Sequence, residues 1–198
     1  MSIRLGIDAS QSIASCAIST DAGIIASAAI ERPIENFPTL IRDVAARADI
    51  NLNDIDEIVV CIGPGSQTGI RAAVVTGNAL ALALNKPVSG VLSTDAAAMI
   101  SKSNEVYKVA VSAGRRRWYV ESYNWGGKKL CRLDELQLMD EIPANAFSAF
   151  TSGSYDLKEF ESCACGILMV AEQQRQLIDQ SLLSEILPYE RKNNEGEP

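Results

Sequence analysis

The sequence predicts an α/β protein made of two copies of one fold, the second of them reduced. Two observations carry this prediction. An apolar run at residues 58–62 stops at a turn with three glycines and a proline, and a segment with helical spacing follows at once. This order is typical of a buried strand, a tight loop and a helix. In addition, three strand patterns open the chain and three similar patterns recur after residue 105, which indicates a duplication.

Three neighbouring strands are expected to open the first copy. Residues 3–8 read as a strand that ends in Asp8, and a polar turn with Ser10 separates it from a second strand at 13–19. The turn residues 20–23 include an aspartate and a glycine, so they predict a hairpin that leads to a third strand at 24–30.

A helix follows at residues 37–48, because Leu40, Ile41 and Val44 recur on one face and Pro38 suits a first helical turn. A fourth strand is expected at 57–63, a second helix at 69–84 and a fifth strand at 87–91. The residues Ser93, Thr94 and Asp95 are suited to capping a short helix that extends to about residue 101. The first copy therefore reads strand-strand-strand-helix-strand-helix-strand-helix.

The second predicted helix carries small residues at every fourth position. The members of this small-residue stripe are Gly69, Ala73, Gly77 and Ala81. Residues four apart share one face of a helix, so another backbone could approach this face closely. We expect a second helix to lie along it.

The second half is expected to be smaller. A polar stretch near residue 103 divides a unit at 1–103 from a unit at 104–198. Strands are predicted at 106–112, 118–123 and 129–133, and helices at 143–150 and 166–183. The tail from Lys192 is polar and is expected to have no fixed structure.

Composition excludes several classes of protein and of site. The net charge of −7 argues against a broad surface for nucleic acid, and no apolar run is long enough to span a membrane. The five cysteines are odd in number and lack metal-site spacing, which favours buried thiols in the cytoplasm. The chain contains no histidine, so a nucleophile activated by histidine is excluded and no metal site is predicted.

The glycine loop allows two interpretations. A glycine-rich turn before a helix can hold a phosphate. However, the spacing of Gly63, Gly65 and Gly69 matches neither the dinucleotide fingerprint nor the P-loop, so a structural elbow between strand and helix is favoured.

Two further groups of polar residues can each be interpreted either as a binding site or as a structural feature. Asp8 and Ser10 follow the first strand, where an actin-like ATPase would contact nucleotide, but Asp8 could equally cap its own turn. Arg115, Arg116 and Arg117 lie beside two aromatic residues, which suits contact with RNA. A solvated hairpin tip explains this arginine cluster more simply.

Taken together, three segments resemble the bacterial TsaB (YeaZ) family. They are residues 7–10, the segment 87–93 and the motif loop with Gly63, Pro64, Gly65, Ser66, Thr68, Gly69 and Arg71. The likeness covers residues 1 to about 125, and residues 187–191 resemble the family's closing segment. Gln67 replaces the family's usual aromatic residue, and residues 112–115 replace its usual Asp-Ala-Arg.

The resemblance implies an actin-like, RNase H-like fold and a non-catalytic role. In the family, TsaB pairs with the homologous subunit TsaD, which holds a metal through histidines and transfers a threonylcarbamoyl group to the tRNA adenosine beside the anticodon. The ATPase TsaE joins at the junction of the two, where ATP and magnesium could bind, and tRNA is contacted indirectly. The implied interface uses the first two helices. Its expected residues are Leu40, Ile41, Val44, Gly69, Ala73, Thr76, Gly77 and Leu80.

Two other functions stay open. The chain could be an actin-like ATPase or phosphotransferase that uses Asp8 to coordinate a metal. Alternatively, it could form a homodimer through the same helices when no partner is present.

Overall fold

The computed structural model describes residues 1–31, 36–101, 105–126, 129–143, 146–148 and 157–174. These residues form two β-sheets, four α-helices and a short 3-10 helix at Leu52–Asp54. The observed layers are two helices, the first sheet, two further helices and the second sheet, in that order.

The first sheet has five strands. They are β1 (Arg4–Asp8), β2 (Ile13–Thr20), β3 (Gly23–Glu31), β4 (Glu57–Cys61) and β5 (Val88–Val91). Their spatial order is β3-β2-β1-β4-β5. The first three strands are antiparallel neighbours, and β1, β4 and β5 run parallel. All five lie where the sequence pattern predicts them, within one or two residues at their ends.

Helices cover both faces of this sheet because its strands are apolar on both sides. On one face, α1 (Phe37–Arg47) and α2 (Gln67–Leu84) pack against Ile58 and Val60 of β4. On the other face, α3 (Ser93–Ser101) and α4 (Leu157–Gln174) enclose Val59 and Cys61. Alternate residues of one strand therefore belong to two separate cores.

The second sheet repeats part of the first. Its strands are β6 (Tyr107–Gly114), β7 (Arg117–Gly126), β8 (Lys129–Arg132), β9 (Gln137–Met139) and β10 (Ala146–Ser148). The order is β10-β6-β7-β8, and β9 also pairs with β7. Strand β10 is parallel to β6 as β4 is parallel to β1, and β6 and β7 form an antiparallel hairpin as β1 and β2 do. The predicted duplication with a reduced second copy is confirmed in this strand order.

The predicted helix at residues 143–150 is wrong. Ala146, Phe147 and Ser148 form β10 and pair with residues 108–110 of β6. Local propensity is a weak preference that tertiary pairing overrides, and the open edge of β6 offers a ladder of hydrogen bonds to a short segment.

The last described helix also differs from its predicted bounds. It begins at Leu157 rather than at residue 166. Its predicted end at residue 183, the segment 187–191 and the tail from Lys192 lie outside the described residues, as do residues 102–104 at the expected domain boundary. Helix α4 packs back onto the first sheet, where the Ala164 N–H donates to Ser15 Oγ at 3.2 Å. The division at residue 103 stays a prediction.

Candidate functional site

The loop between β4 and α2 packs backbone against backbone on the turn after β1. Gly65 has a φ of +152°, and a Cβ atom there would lie 2.2 Å from the Ser10 carbonyl oxygen. A Cβ on Gly69 would lie 1.8 Å from the carbonyl oxygen of Ala9. The Ser66 N–H donates to the Ser10 carbonyl at 2.6 Å. The two glycines are therefore required for a close approach within the chain.

The polar groups of this loop are largely engaged within the protein. Ser66 Oγ caps α2 by accepting from the Gly69 N–H at 3.4 Å. Ser93 donates from its hydroxyl to the Pro64 carbonyl at 2.5 Å and from its N–H to the Gly63 carbonyl at 2.8 Å. The structural elbow is thus the interpretation that the geometry supports. Of the other motif residues, Thr68 and Arg71 are exposed.

Asp8 lies beneath the turn and is 1% exposed. Its Oδ1 accepts from the Ser10 N–H at 3.1 Å, which is the local turn cap that the sequence allowed. Burial, and then the negative charge of Asp8, raise the pKa of the neighbouring Cys61 thiol well above its usual range. Cys61 is therefore an unreactive buried thiol.

A cleft of about 540 Å³ lies between the elbow and the tip of the β6–β7 hairpin. The β1–β2 turn, the β4–α2 elbow, and the end of β6 with the start of β7 contribute to it. The lining residues are Ser10, Gln11, Ser12, Gly65, Ser66, Gln67, Ser112, Ala113, Gly114 and Tyr119. The hydroxyl and amide groups could bind a polar ligand, and Tyr119 offers an aromatic ring. The structure brings Ser10 to this cleft, whereas Asp8 does not line it.

The small-residue stripe of α2 faces the protein's own sheet. Gly69, Ala73, Gly77 and Ala81 are all buried. A Cβ on Gly77 would lie 2.3 Å from Cγ1 of Val60 in β4. Our expectation that a second helix lies along this stripe is wrong, because small side chains are needed for α2 to approach β4 and the turn after β1.

Most of the expected interface residues are likewise buried or half-buried within the protein itself. Leu40, Ile41 and Val44 are buried in the core between α1, α2 and the first sheet. Thr76 and Leu80 are half-buried. The outer face of α2 instead exposes Val75, Ala79 and Leu82. We call these three residues the apolar outer face.

Sequence reasoning missed this outer face, although a signal was present. Helix α2 carries more apolar residues than one buried face can use, since Val75 and Leu82 lie off the stripe. Val75 is 67% exposed and Leu82 is 86% exposed.

Sequence reasoning also missed a partly buried polar cluster between α3 and the second sheet. Arg132 Nη2 donates to both oxygens of Asp95 at 2.8 and 2.9 Å, and its Nε lies 2.9 Å from Glu121 Oε1. The Tyr123 hydroxyl lies within 2.8 Å of both carboxylates. These residues come from three distant segments, so no local pattern joins them.

Comparison with known proteins identifies the family. The model of the family described as "TsaD: tRNA N6-adenosine threonylcarbamoyltransferase" matches residues 9–156, which is most of the chain. The chain belongs to the TsaD family.

Curated TsaD relatives match over short segments. The enzyme described as tRNA N6-adenosine threonylcarbamoyltransferase from Geotalea uraniireducens is 29% identical over 103 residues, which cover 50% of this chain and 30% of the relative. The one from Rhizobium johnstonii is 35% identical over 66 residues, or 33% of this chain and 18% of the relative. The chain therefore spans less than a third of the length of these relatives.

Among solved structures, YeaZ from Pseudomonas aeruginosa matches this TsaD-family chain with a TM-score of 0.72 and 18% identity. The match covers 94% of this chain and 100% of YeaZ. The predicted actin-like fold and the resemblance to YeaZ are confirmed.

Within the described part of this TsaD-family chain, no group of three or more acidic, cysteine or histidine side chains is placed to hold a metal ion. None of the described helices combines the length and the apolar character needed to span a membrane.

Proposed function

We propose that this chain is a non-catalytic accessory subunit that binds and activates a TsaD-type threonylcarbamoyltransferase. The observation that carries the proposal is the apolar outer face of α2. Val75, Ala79 and Leu82 follow the spacing i, i+4, i+7, so they form one exposed stripe on the helix. Single exposed apolar side chains are ordinary, whereas an aligned row is typical of a helix that packs against a partner.

The way α2 is held supports the same role. Its glycines allow the helix to pack closely against the turn after β1 and against β4, so the helix is fixed on its own sheet. The apolar outer face is thereby presented by a rigid element, which lowers the entropy that pairing must overcome. Compared with the sequence-based expectation, the proposed contact stays on α2 but moves from the small-residue stripe to the opposite face.

Composition supports the division of labour between the two subunits. The chain contains no histidine, so it cannot supply the histidine ligands that the family resemblance implies for the catalytic metal. In this proposal the partner performs threonylcarbamoyl transfer to the tRNA adenosine beside the anticodon. A TsaE-type ATPase joins at the junction, and the chain pairs with itself through α2 when the partner is absent.

Co-purification with a TsaD-type subunit tests the proposal. We expect Leu82→Asp or Val75→Asp to abolish pairing, because a carboxylate would be buried against an apolar partner surface. Val106→Asp is the matched control, since Val106 is 63% exposed but lies before β6. Circular dichroism checks that each variant folds.

Reconstitution of the modified nucleoside completes the test, with mass spectrometry of tRNA as the readout. We expect the α2 variants to lower the yield and the Val106 control to retain it. Undiminished pairing and yield in Leu82→Asp would overturn the proposal. Loss of self-association alone would assign the apolar outer face to a homodimer instead.

The cleft favours a second candidate function, which is nucleotide binding. Its volume of about 540 Å³ and its hydroxyl-rich lining suit a polar ligand. Calorimetry with ATP and magnesium tests this candidate. Binding and turnover that disappear in Ser10→Ala, at a residue that lines the cleft, with the fold intact, would favour the ATPase over the accessory subunit.

A further inference from the structure

The hairpin between β6 and β7 places two arginines at a tight tip. Gly114 pairs with Arg117, so Arg115 and Arg116 alone form the loop. Their φ angles are +52° and +61°. Two-residue loops with positive φ at both positions favour Asn-Gly, because residues with longer side chains rarely adopt this conformation. The turn therefore holds arginine where another sequence would be more stable.

The charges at this tip have no internal partner that the structure shows. Within the described ranges, no carboxylate lies within ion-pairing distance of Arg115, Arg116 or Arg117. Arg115 and Arg116 are exposed, and Arg117 is half-buried at the start of β7. Since the whole chain has a net charge of −7, this tip concentrates positive charge on an otherwise acidic protein.

Because the arginines at the tip lie outside the cleft, they suit an extended anion better than a small one bound within the cleft. Ser112, Ala113 and Gly114 line the cleft, whereas Arg115 and Arg116 do not. A phosphate deep in the cleft would not need them. A phosphodiester chain that passes over the mouth of the cleft would meet the arginines in succession, and Tyr119 lies behind them in the cleft wall.

We propose that the hairpin tip, with Arg115, Arg116 and Arg117, directly contacts the backbone of an RNA strand. The choice of RNA rests on the proposed function, because tRNA is the substrate that the complex would hold. Guanidinium groups suit phosphate through paired hydrogen bonds. The tip adds one local contact. Because the rest of the surface is acidic and repels RNA, most of the affinity comes from the partner.

The double variant Arg115→Asn/Arg116→Gly separates binding from folding. It introduces the preferred turn pair and removes two positive charges, so we expect an equal or higher melting temperature together with weaker RNA binding. The probe is an unmodified tRNA transcript, titrated against the chain together with its TsaD-type partner at several salt concentrations. We expect roughly a tenfold loss of affinity at low salt and a fall of about 2 in the slope of log K against log salt.

Two matched variants control for charge. Arg42→Gln/Arg47→Gln removes the same charge from the exposed side of α1, on the far face of the first sheet, and is expected to retain affinity. Arg115→Lys/Arg116→Lys keeps the charge and is expected to retain most of it. Unchanged affinity and salt slope in Arg115→Asn/Arg116→Gly would overturn the inference, as would an equal loss in the α1 control.

A further arm separates this inference from the proposed function. If the chain fails to pair with the TsaD-type subunit, the titration is repeated with the chain alone, where arginine-dependent binding to the transcript would support the tip contact by itself. If pairing persists and the affinity for RNA is unchanged in the arginine variant, the RNA contact is contradicted while the accessory role still stands. Displacement of the transcript by ATP at equal phosphate concentration would assign the arginines to a nucleotide and overturn the RNA contact.

Discussion

The hydroxyl of Tyr123 lies 2.7 Å from Oε2 of Glu121 and 2.8 Å from Oδ1 of Asp95, inside the contact between α3 and the second sheet. One hydroxyl proton cannot serve two carboxylates, so one of the two contacts requires a protonated carboxyl group. Burial raises the pKa of Glu121. Burial and both carboxylates also raise the pKa of Tyr123, so the phenol keeps its proton. We assign the additional proton to Glu121 at acidic pH.

This proton predicts that stability depends on pH. Because the folded-state pKa of Glu121 is raised, its contribution is fully present below the unfolded pKa and is lost as pH rises through the folded pKa. Urea unfolding from about pH 4 to about pH 8 measures the effect. In Glu121→Gln, which resembles the protonated form, we expect this decline to disappear. A variant that follows the wild-type curve in parallel would contradict the assignment.

Removal of Arg132 should weaken the same contact most at neutral pH. Its guanidinium holds both carboxylates, and without it Asp95 and Glu121 would face each other uncompensated. We expect Arg132→Met to lower the free energy of unfolding by about 2 kcal/mol near pH 7, since Arg132 is partly exposed. The loss should be smaller near pH 4, where a carboxyl can be neutral. A loss that does not vary with pH would show that only the packing of the side chain mattered.

Alanine substitutions at the two α2 glycines compare a steric clash with backbone, at Gly69, with a steric clash with a side chain, at Gly77. At Gly69 the added methyl meets the Ala9 carbonyl at 1.8 Å, whereas at Gly77 it meets the end of the Val60 side chain at 2.3 Å. We expect Gly69→Ala to cost about 3 kcal/mol of unfolding free energy and Gly77→Ala about 1 kcal/mol, after the gain in helix propensity.

Asn78→Ala is the control for these two variants, because Asn78 is exposed on the same helix. It should change stability by less than about 0.5 kcal/mol. Chemical denaturation compares the three variants. Equal stability of Gly69→Ala and wild type would contradict the packing described for the elbow.

The buried Arg4 should matter more than any one of its partners. Its side chain is 1% exposed and contacts Glu172, while its Nε lies 3.4 Å from Glu57. We expect Arg4→Leu to cost about 3 kcal/mol, because the Glu57 carboxylate would remain partly buried without a cation, although the Ser89 hydroxyl still donates to it at 2.7 Å. Glu172→Gln should cost less than about 1 kcal/mol, since that carboxylate is more than half exposed. Chemical unfolding of Arg4→Leu, Glu172→Gln and the double variant measures the three free energies. Strictly additive losses would contradict an interaction between Arg4 and Glu172.

Local patterns were sufficient for most of the first sheet and its helices. Strand β4, the elbow and α2 follow from an apolar run, a glycine turn and a helical repeat, each of which lies within a few residues of sequence. Strand β10 did not follow, because its stability comes from pairing with β6 some forty residues away in the chain. A segment that short carries too little periodicity to distinguish a strand from a helix.

The sequence by itself determined the order of strands and helices along the first copy, the partial duplication and the absence of histidine chemistry. The tertiary structure decided which face of α2 is free. Glycine spacing shows that a backbone can come close, but it does not say whose backbone, and Ala9 and Val60 take that place within the chain. The structure also brought Asp95, Glu121, Tyr123 and Arg132 together, because their energies depend on burial and distance rather than on neighbouring residues.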